Sequence, residues 1–404
     1  MTRAVFRGAS VFDGTGAAPA VADVVVEDGV FVDVGSDLDG DAAVDVSGRT
    51  LLPGLFDCHT HVMMSGIDLW KMAQTPFSYR FYEGARNLEA TLATGITSIR
   101  DAGFADLGLK KAVEDGLVSG PRMQISISMI SQTGGHGDDW LASGTELPWI
   151  AFHPGLPRTI VDGPDEMRRM VRTLVRLGAD VIKVATSGGV LSPRDQPHHG
   201  HFRDEELAVL AEEAAAAGIR VMAHAQASDG IKAAIRAGFA SVDHGVYLDD
   251  EAIEMMLEQG TFLVPTLVAV QGVIDAAEAG AQIPEASLAK AHAVRDIHRE
   301  SFAKAVAAGV KIAMGTDSGV TAHGENLREL SLMAQGGMSP SDVLVATTSR
   351  AAELLGWEDR LGTIEPGKLA DLVVIDGDPF ELETLAERIR AVYMEGRLVS
   401  GAVA

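Results

Sequence analysis

The chain has 404 residues, 47% of them hydrophobic and 22% charged, which is enough to bury a large core. Lys+Arg 33 against Asp+Glu 57 leaves a net charge of −24 with no basic run, which excludes nucleic acid or an anionic membrane face as a partner. A single cysteine, Cys58, excludes an intramolecular disulfide. No run of about 18 apolar residues is present, so no transmembrane helix is expected. Met1–Gly8 lacks the apolar core of a secretory signal, and a cytoplasmic protein is expected.

The first segment reads as β structure. Ala22–Glu27 and Val30–Val34 are β-branched runs separated by Asp28-Gly29, a pair that accepts the positive φ of a tight hairpin turn. The C-terminal segment has the same style, with Leu372–Asp376 and a turn at Glu395-Gly396. Neither end can bury a core alone, so the two are expected to pair into one small β-sandwich module, residues 1–54 with 361–404.

Between 55 and 360, short apolar strands alternate with amphipathic helices. Strands are predicted near Leu55–His59, Thr97–Arg100, Gln124–Ile130, Val181–Ala185, Arg220–Ala223, Ser241–Asp243, Thr261–Val264 and Lys311–Met314. Helices over Asp165–Leu177, Asp204–Ala217 and Asp250–Gln259 each stop at a glycine, which enters the left-handed conformation cheaply. Eight strand–helix units predict a parallel (β/α)8 TIM barrel, of α/β class. An open doubly wound sheet fits less well, because no G-x-G-x-x-G follows the first strand.

His59 and His61 close the first strand at i and i+2, so both imidazoles project to one side. Lys183 lies inside strand four, His224 ends strand five, His244 ends strand six and Asp317 follows strand eight. All six fall at or beyond the C-terminal halves of strands, where barrel enzymes build their sites. A lysine ammonium buried among histidines and cations is repelled and desolvated, which favours the neutral amine. Neutral, Lys183 can take up carbon dioxide as a carbamate able to bridge two metals; otherwise it caps a carboxylate at the barrel's wet end.

These residues resemble the binuclear metal-dependent amidohydrolases. Leu51-Leu52-Pro53-Gly54-Leu55-Phe56-Asp57-Cys58-His59-Thr60-His61 is similar to that superfamily's opening motif. Within it the nearest likeness is to the Xaa-Pro dipeptidase (prolidase-like) and carboxypeptidase group that includes the ochratoxin amidases. Thr133–Asp138, Ile182–Gly189, Val242–Gly245, Gly315–Gly319 and Pro366–Val373 carry that likeness. The resemblance implies a metal pair, most often Zn2+: His59, His61 and Asp317 on one ion, His224 and His244 on the other, and carboxylated Lys183 between them.

It further implies hydrolysis of the amide preceding a C-terminal amino acid by a metal-bridging hydroxide, on a dipeptide or an N-acyl amino acid. Asp317 is then the proton shuttle, and His136 meets the developing oxyanion or a substrate carboxylate. Tyr247 and His323, on loops after strands six and eight, are candidate substrate contacts. A homo-oligomer is expected. Lactonase, phosphotriesterase or cyclic-amide hydrolase chemistry uses the same six ligands. A deaminase fits poorly, since Ala225-Gln226-Ala227-Ser228 supplies no glutamate after His224. A non-catalytic scaffold is disfavoured because all six ligands stand. His198, His199 and His201 are expected on a solvated rim loop, and Cys58 is expected to face outward, opposite its neighbour His59.

Overall fold

The computed structural model describes residues 3–192 and 194–403. Its first five strands are β1 (Ala4–Val11), β2 (Ala20–Glu27), β3 (Val30–Gly35), β4 (Ala42–Asp45) and β5 (Arg49–Pro53). Eight more follow in the middle of the chain: β6 (Leu55–Thr60), β7 (Ile96–Asp101), β8 (Arg122–Ile125), β9 (Met129–Ile130), β10 (Val181–Ala185), β11 (Arg220–Ala225), β12 (Ser241–His244) and β13 (Phe262–Val264). The last three are β14 (Leu372–Asp376), β15 (Ile389–Met394) and β16 (Arg397–Gly401).

Both ends of the chain meet in one eight-stranded sheet, ordered β16-β15-β14-β5-β1-β2-β3, with β4 beside β1. The β2–β3 hairpin turns at Asp28 (φ 51°) and Gly29 (φ 83°), and β15–β16 at Glu395 (φ 48°) and Gly396 (φ 71°), the two-residue turns that match strand twist. The sheet has its own core around Phe6, Phe31, Leu51, Val374 and Tyr393. Phe6 and Tyr393 meet edge to face at 5.0 Å, a contact worth about 0.5–1.5 kcal/mol beyond area burial. By strand pairing the module is one hydrogen-bonded sheet drawn from both ends of the chain.

Gly54 alone separates β5 from β6. Its N–H donates to the Asp371 carbonyl at 2.8 Å, and a Cβ there would lie 2.1 Å from Thr97 Oγ1. Only glycine lets the terminal sheet sit this close to the strand that carries His59 and His61.

The middle strands run parallel, β6-β7-β8 in one sheet and β9-β10-β11-β12-β13 in another. β6, β7 and β10 are buried on both faces, as parallel strands covered by helices must be. The expected closed eight-stranded ladder does not form. The predicted third strand, Gln124–Ile130, is divided at Ile127, whose φ of 68° breaks the pleat. The predicted eighth, Lys311–Met314, carries one bridge, Ile312 to Leu263. It is hydrogen-bonded on both sides, from Leu263 N to Lys311 O at 2.9 Å and from Cys58 N to Met314 O at 2.9 Å. Met314 N, however, donates to Ala346 O instead of extending a ladder.

The predicted helices appear as Pro164–Arg176, Asp204–Ala216 and Asp250–Gln259, the last stopped by Gly260 at φ 70°. Among the described residues, no helix is long and apolar enough to cross a membrane.

Candidate active site

Strand alternation sorts the side chains. On β6, Phe56 and Cys58 pack outward with Ala351, Leu354 and Leu355, while His59 faces the interior. Burial of Cys58 among apolar neighbours pushes its thiol far above the ordinary thiol value, beyond any use as a nucleophile or ligand. On β10, Ile182 and Val184 join the outer core and Lys183 faces in. His59, His61, Lys183, His224, His244 and Asp317, supplied by several strand ends, line one cavity together with His136.

Each of the four strand-end histidines has one ring nitrogen tied back to the protein. His59 Nδ1 lies 2.7 Å from Asp243 Oδ2. His61 Nδ1 lies 3.2 Å from the Gly103 carbonyl, and His244 Nδ1 lies 2.7 Å from Thr266 Oγ1. His224 Nε2 lies 3.2 Å from the Gly188 carbonyl. Partners of this kind orient an imidazole and leave its other nitrogen for a ligand. His59 Nε2 and His61 Nε2 point at Asp317 Oδ1, at 3.4 and 3.1 Å. One donor atom each from His59, His244 and Asp317 falls within 4.8 Å of the others, the spacing of a cation site.

Metal ligation needs neutral imidazoles and ionised carboxylates; His224, His244 and Asp317 meet that need, whereas Asp317 and Asp101 raise His61 against its burial. Burial, reinforced by neighbouring rings and Lys183, holds His224 and His244 well below the ordinary imidazole value. Asp317 lies well below the carboxylate range: burial opposes this, but His59 and His61 outweigh it. Burial lowers Lys183 to about 8, although Asp243 and Asp317 pull the other way. Two of the six candidate ligands adopt the left-handed region, His244 at φ 77° and Asp317 at φ 60°. Backbone strain of this sort concentrates at functional sites.

His136 stacks on His224, with centroids 4.0 Å apart and planes 16° apart. Its Nδ1 is 2.9 Å from Ser192 Oγ and 3.4 Å from Asp195 Oδ2, so Nε2 is left for the cavity. Asp195 is held below the carboxylate range despite burial, by His136, Ser192 and Lys290. Gly189 permits the stacking, since a Cβ there would sit 2.2 Å from His136 Cε1.

Two predicted substrate contacts are placed elsewhere. His323 does not line the cavity; its Nε2 lies 3.2 Å from both the His61 and Met64 carbonyls, bracing the loop after β6. Tyr247 is also outside the lining, packed with Val246 and Val273 and 6.5 Å from the His198 ring. The His198 and His199 rings meet edge to face at 4.5 Å, and His201 is buried.

Several functional positions escaped sequence reasoning. Asp243 is fully buried and gathers His59 Nδ1, Lys183 Nζ at 3.4 Å and Arg100, which reaches it across the interior from β7 at 3.3 Å. Asp57 receives Thr316 Oγ1 at 2.6 Å and Asn326 Nδ2 at 2.8 Å, fixing the loop that carries Asp317. The sequence signal was the Ser241-x-Asp243 pair on one side of a strand; Arg100 meets both, at 3.1 and 3.3 Å.

A profile of the amidohydrolase family matches residues 50–401. Ochratoxinase of Aspergillus niger is 35% identical over 369 residues, spanning 87% of this chain and 76% of its own. A solved Xaa-Pro dipeptidase with methionine in its active site superposes with a TM-score of 0.90 at 31% identity, over 98% of this chain and 99% of that one. A prolidase complexed with N-methylphosphonate-L-proline gives a TM-score of 0.89 at 34% identity, over 99% and 100% of the two chains.

Proposed function

The chain belongs to the amidohydrolase family, and from that premise we propose that this enzyme hydrolyses the amide bond preceding a C-terminal amino acid, in an Xaa-Pro dipeptide or an N-acyl amino acid. The observation that carries the proposal is convergence: six ligand-competent side chains from five separate strand segments line one cavity, and each strand-end histidine has one nitrogen already committed. The reading takes the two parallel sheets and Lys311–Met314 as one (β/α)8 barrel, with residues 1–54 and 361–404 as a β-sandwich beside it.

The donor set fits a pair of divalent ions, with zinc suited to its imidazoles and carboxylate. His59, His61 and Asp317 would hold one ion and His224 and His244 the other, with Lys183 between them as a carbamate. When bound, such ions supply an activated water at neutral pH and polarise the scissile carbonyl. Lys183 reaches its neutral amine readily, because burial lowers it to about 8; that amine forms a C–N bond to carbon dioxide and releases a proton. Asp317 Oδ1, beside His59 and His61, takes the proton of the attacking water and delivers it to the departing amine. His136, with Nδ1 committed to Ser192 and Asp195, presents Nε2 to the carbonyl oxygen as negative charge develops.

The test is a panel of dipeptides, N-acyl amino acids, lactones and phosphotriesters offered to metal-reconstituted protein, together with Lys183→Ala. Amide turnover is expected, lost in the variant along with half of the bound metal, and partly restored by short carboxylic acids. Full activity in Lys183→Ala, or turnover confined to lactones or phosphotriesters, would refute it.

A further inference from the structure

The loop after β9 builds one wall of the cavity. It folds back on itself through a bridge between Trp140 and Glu146, with Leu147 N donating to Asp139 O at 3.0 Å. That turn brings Asp138, Asp139 and Glu146 to the cavity, with Arg158 as the one guanidinium among the lining residues of this loop. Arg158 is committed to Glu146 at 2.9 Å and stands 3.9 Å from Asp138. Three carboxylates therefore share one cation.

The acceptors that remain are short of donors. Asp139 makes no side-chain hydrogen bond or ion pair among the described residues, and burial, Asp138 and Glu146 together push it up to about 7. Asp138 accepts from Gly134 N at 2.8 Å through Oδ2, but its side chain is 9% exposed and its Oδ1 is buried without a hydrogen-bond partner. An independent feature on a different element agrees. Gln226, just beyond β11, is 5% exposed, lines the same cavity, and has its Oε1 buried with no partner. Unpaired buried acceptors favour any ligand that brings donors. An ammonium brings three N–H donors and a compact positive charge, and the aromatic residues Trp149 and Phe152 belong to the same lining. An acyl cap would bring a further acceptor to a wall that already has too many.

We infer that the wall formed by Asp138, Asp139 and Glu146 is a subsite for a substrate ammonium group, so that the cavity prefers peptides bearing one to fully blocked N-acyl amino acids. The inference rests on the amide-hydrolase reading and chooses between the two substrate classes which that reading admits.

Three peptides separate the possibilities: glycyl-proline carries an α-ammonium, N-acetyl-lysyl-proline a side-chain ammonium, and N-acetyl-glycyl-proline none. Each is measured for turnover with metal-loaded protein and for calorimetric affinity with chelated protein, in wild type, Asp139→Asn and Glu146→Gln. The Asp139 carboxylate makes no hydrogen bond among the described residues, so its amide keeps the fold. An advantage of about tenfold or more in affinity is expected for one ammonium peptide over the blocked one, and it should collapse in the variants. Which of the two peptides wins identifies the source of the ammonium. Equal turnover and affinity for all three, or a preference that survives both variants, overturns the subsite while leaving amide hydrolysis in place. Absence of turnover on every amide, with the affinity preference intact, overturns the hydrolase reading and keeps the subsite.

Discussion

Gly189→Ala places the proposed role of His136 under direct test. The added Cβ would lie 2.2 Å from His136 Cε1, 2.6 Å from Nδ1 and 2.9 Å from Nε2. The backbone cannot retreat freely. Gly189 N donates to Asp195 Oδ2 at 3.1 Å, and its carbonyl accepts from Ser192 Oγ at 3.2 Å and Lys290 Nζ at 3.1 Å. The imidazole must therefore swing by more than about 1 Å to reach van der Waals contact at about 3.5 Å, leaving Ser192 and its stack on His224. A displacement of that size costs about 100-fold in rate, and loss of an oxyanion donor costs about 100- to 1000-fold. Overpacking adds a stability loss of about 1–3 kcal/mol. The assay is kcat with metal-loaded protein and the urea midpoint, for Gly189→Ala, His136→Ala and the double variant. The double variant should lose no more rate than His136→Ala alone and should regain the urea midpoint, because the collision is gone. Wild-type kcat and midpoint in Gly189→Ala would refute the reasoning.

Asp317→Asn should keep most of the bound metal yet lose turnover; an unchanged rate would remove the proton shuttle. Asp243→Ala strands Arg100 and Lys183 in the interior and should cost about 3–5 kcal/mol by urea denaturation, whereas a loss near zero would show the trio relaxes. Asp139 is raised above the ordinary carboxylate value to about 7, so the fold holds this proton more tightly than the unfolded chain does. Its stabilising contribution is complete below that ordinary value and is lost as pH climbs through about 7. Asp139→Asn should flatten this part of the stability profile, and an identical profile would contradict it. Chelation should lower the melting midpoint, by an equivalent of about 2.7 kcal/mol if metal had stood at 100 times its dissociation constant; a midpoint indifferent to chelator would argue against a bound ion.

The hairpins at Asp28-Gly29 and Glu395-Gly396 were legible because turn chemistry is local. The helix Asp250–Gln259 was legible to the residue for the same reason, with Gly260 at its end. The outward face of Cys58 followed from the period of a strand. Lys311–Met314 was misjudged because its backbone bonds are divided between Leu263, Cys58 and Ala346, which no local pattern encodes. Asp243 escaped notice because a regular pleat would turn it away from its neighbour His244, whereas His244 at φ 77° breaks that pleat and both side chains are buried. His323 was ambiguous for a different reason, since its choice of the His61 and Met64 carbonyls depends on an approach between distant segments.

The pairing of β5 with β14 has a consequence for synthesis on the ribosome. Leu52 is matched to Val373 and Leu51 to Val374, so β5 emerges early and waits, with one edge bare, through translation of all the intervening strands. The imidazoles of His59 and His61 leave the exit tunnel beside that bare edge, long before Lys183, His224, His244 and Asp317 exist to join them. Nascent chains stalled upstream of residue 372 carry an unprotected β edge open to aggregation.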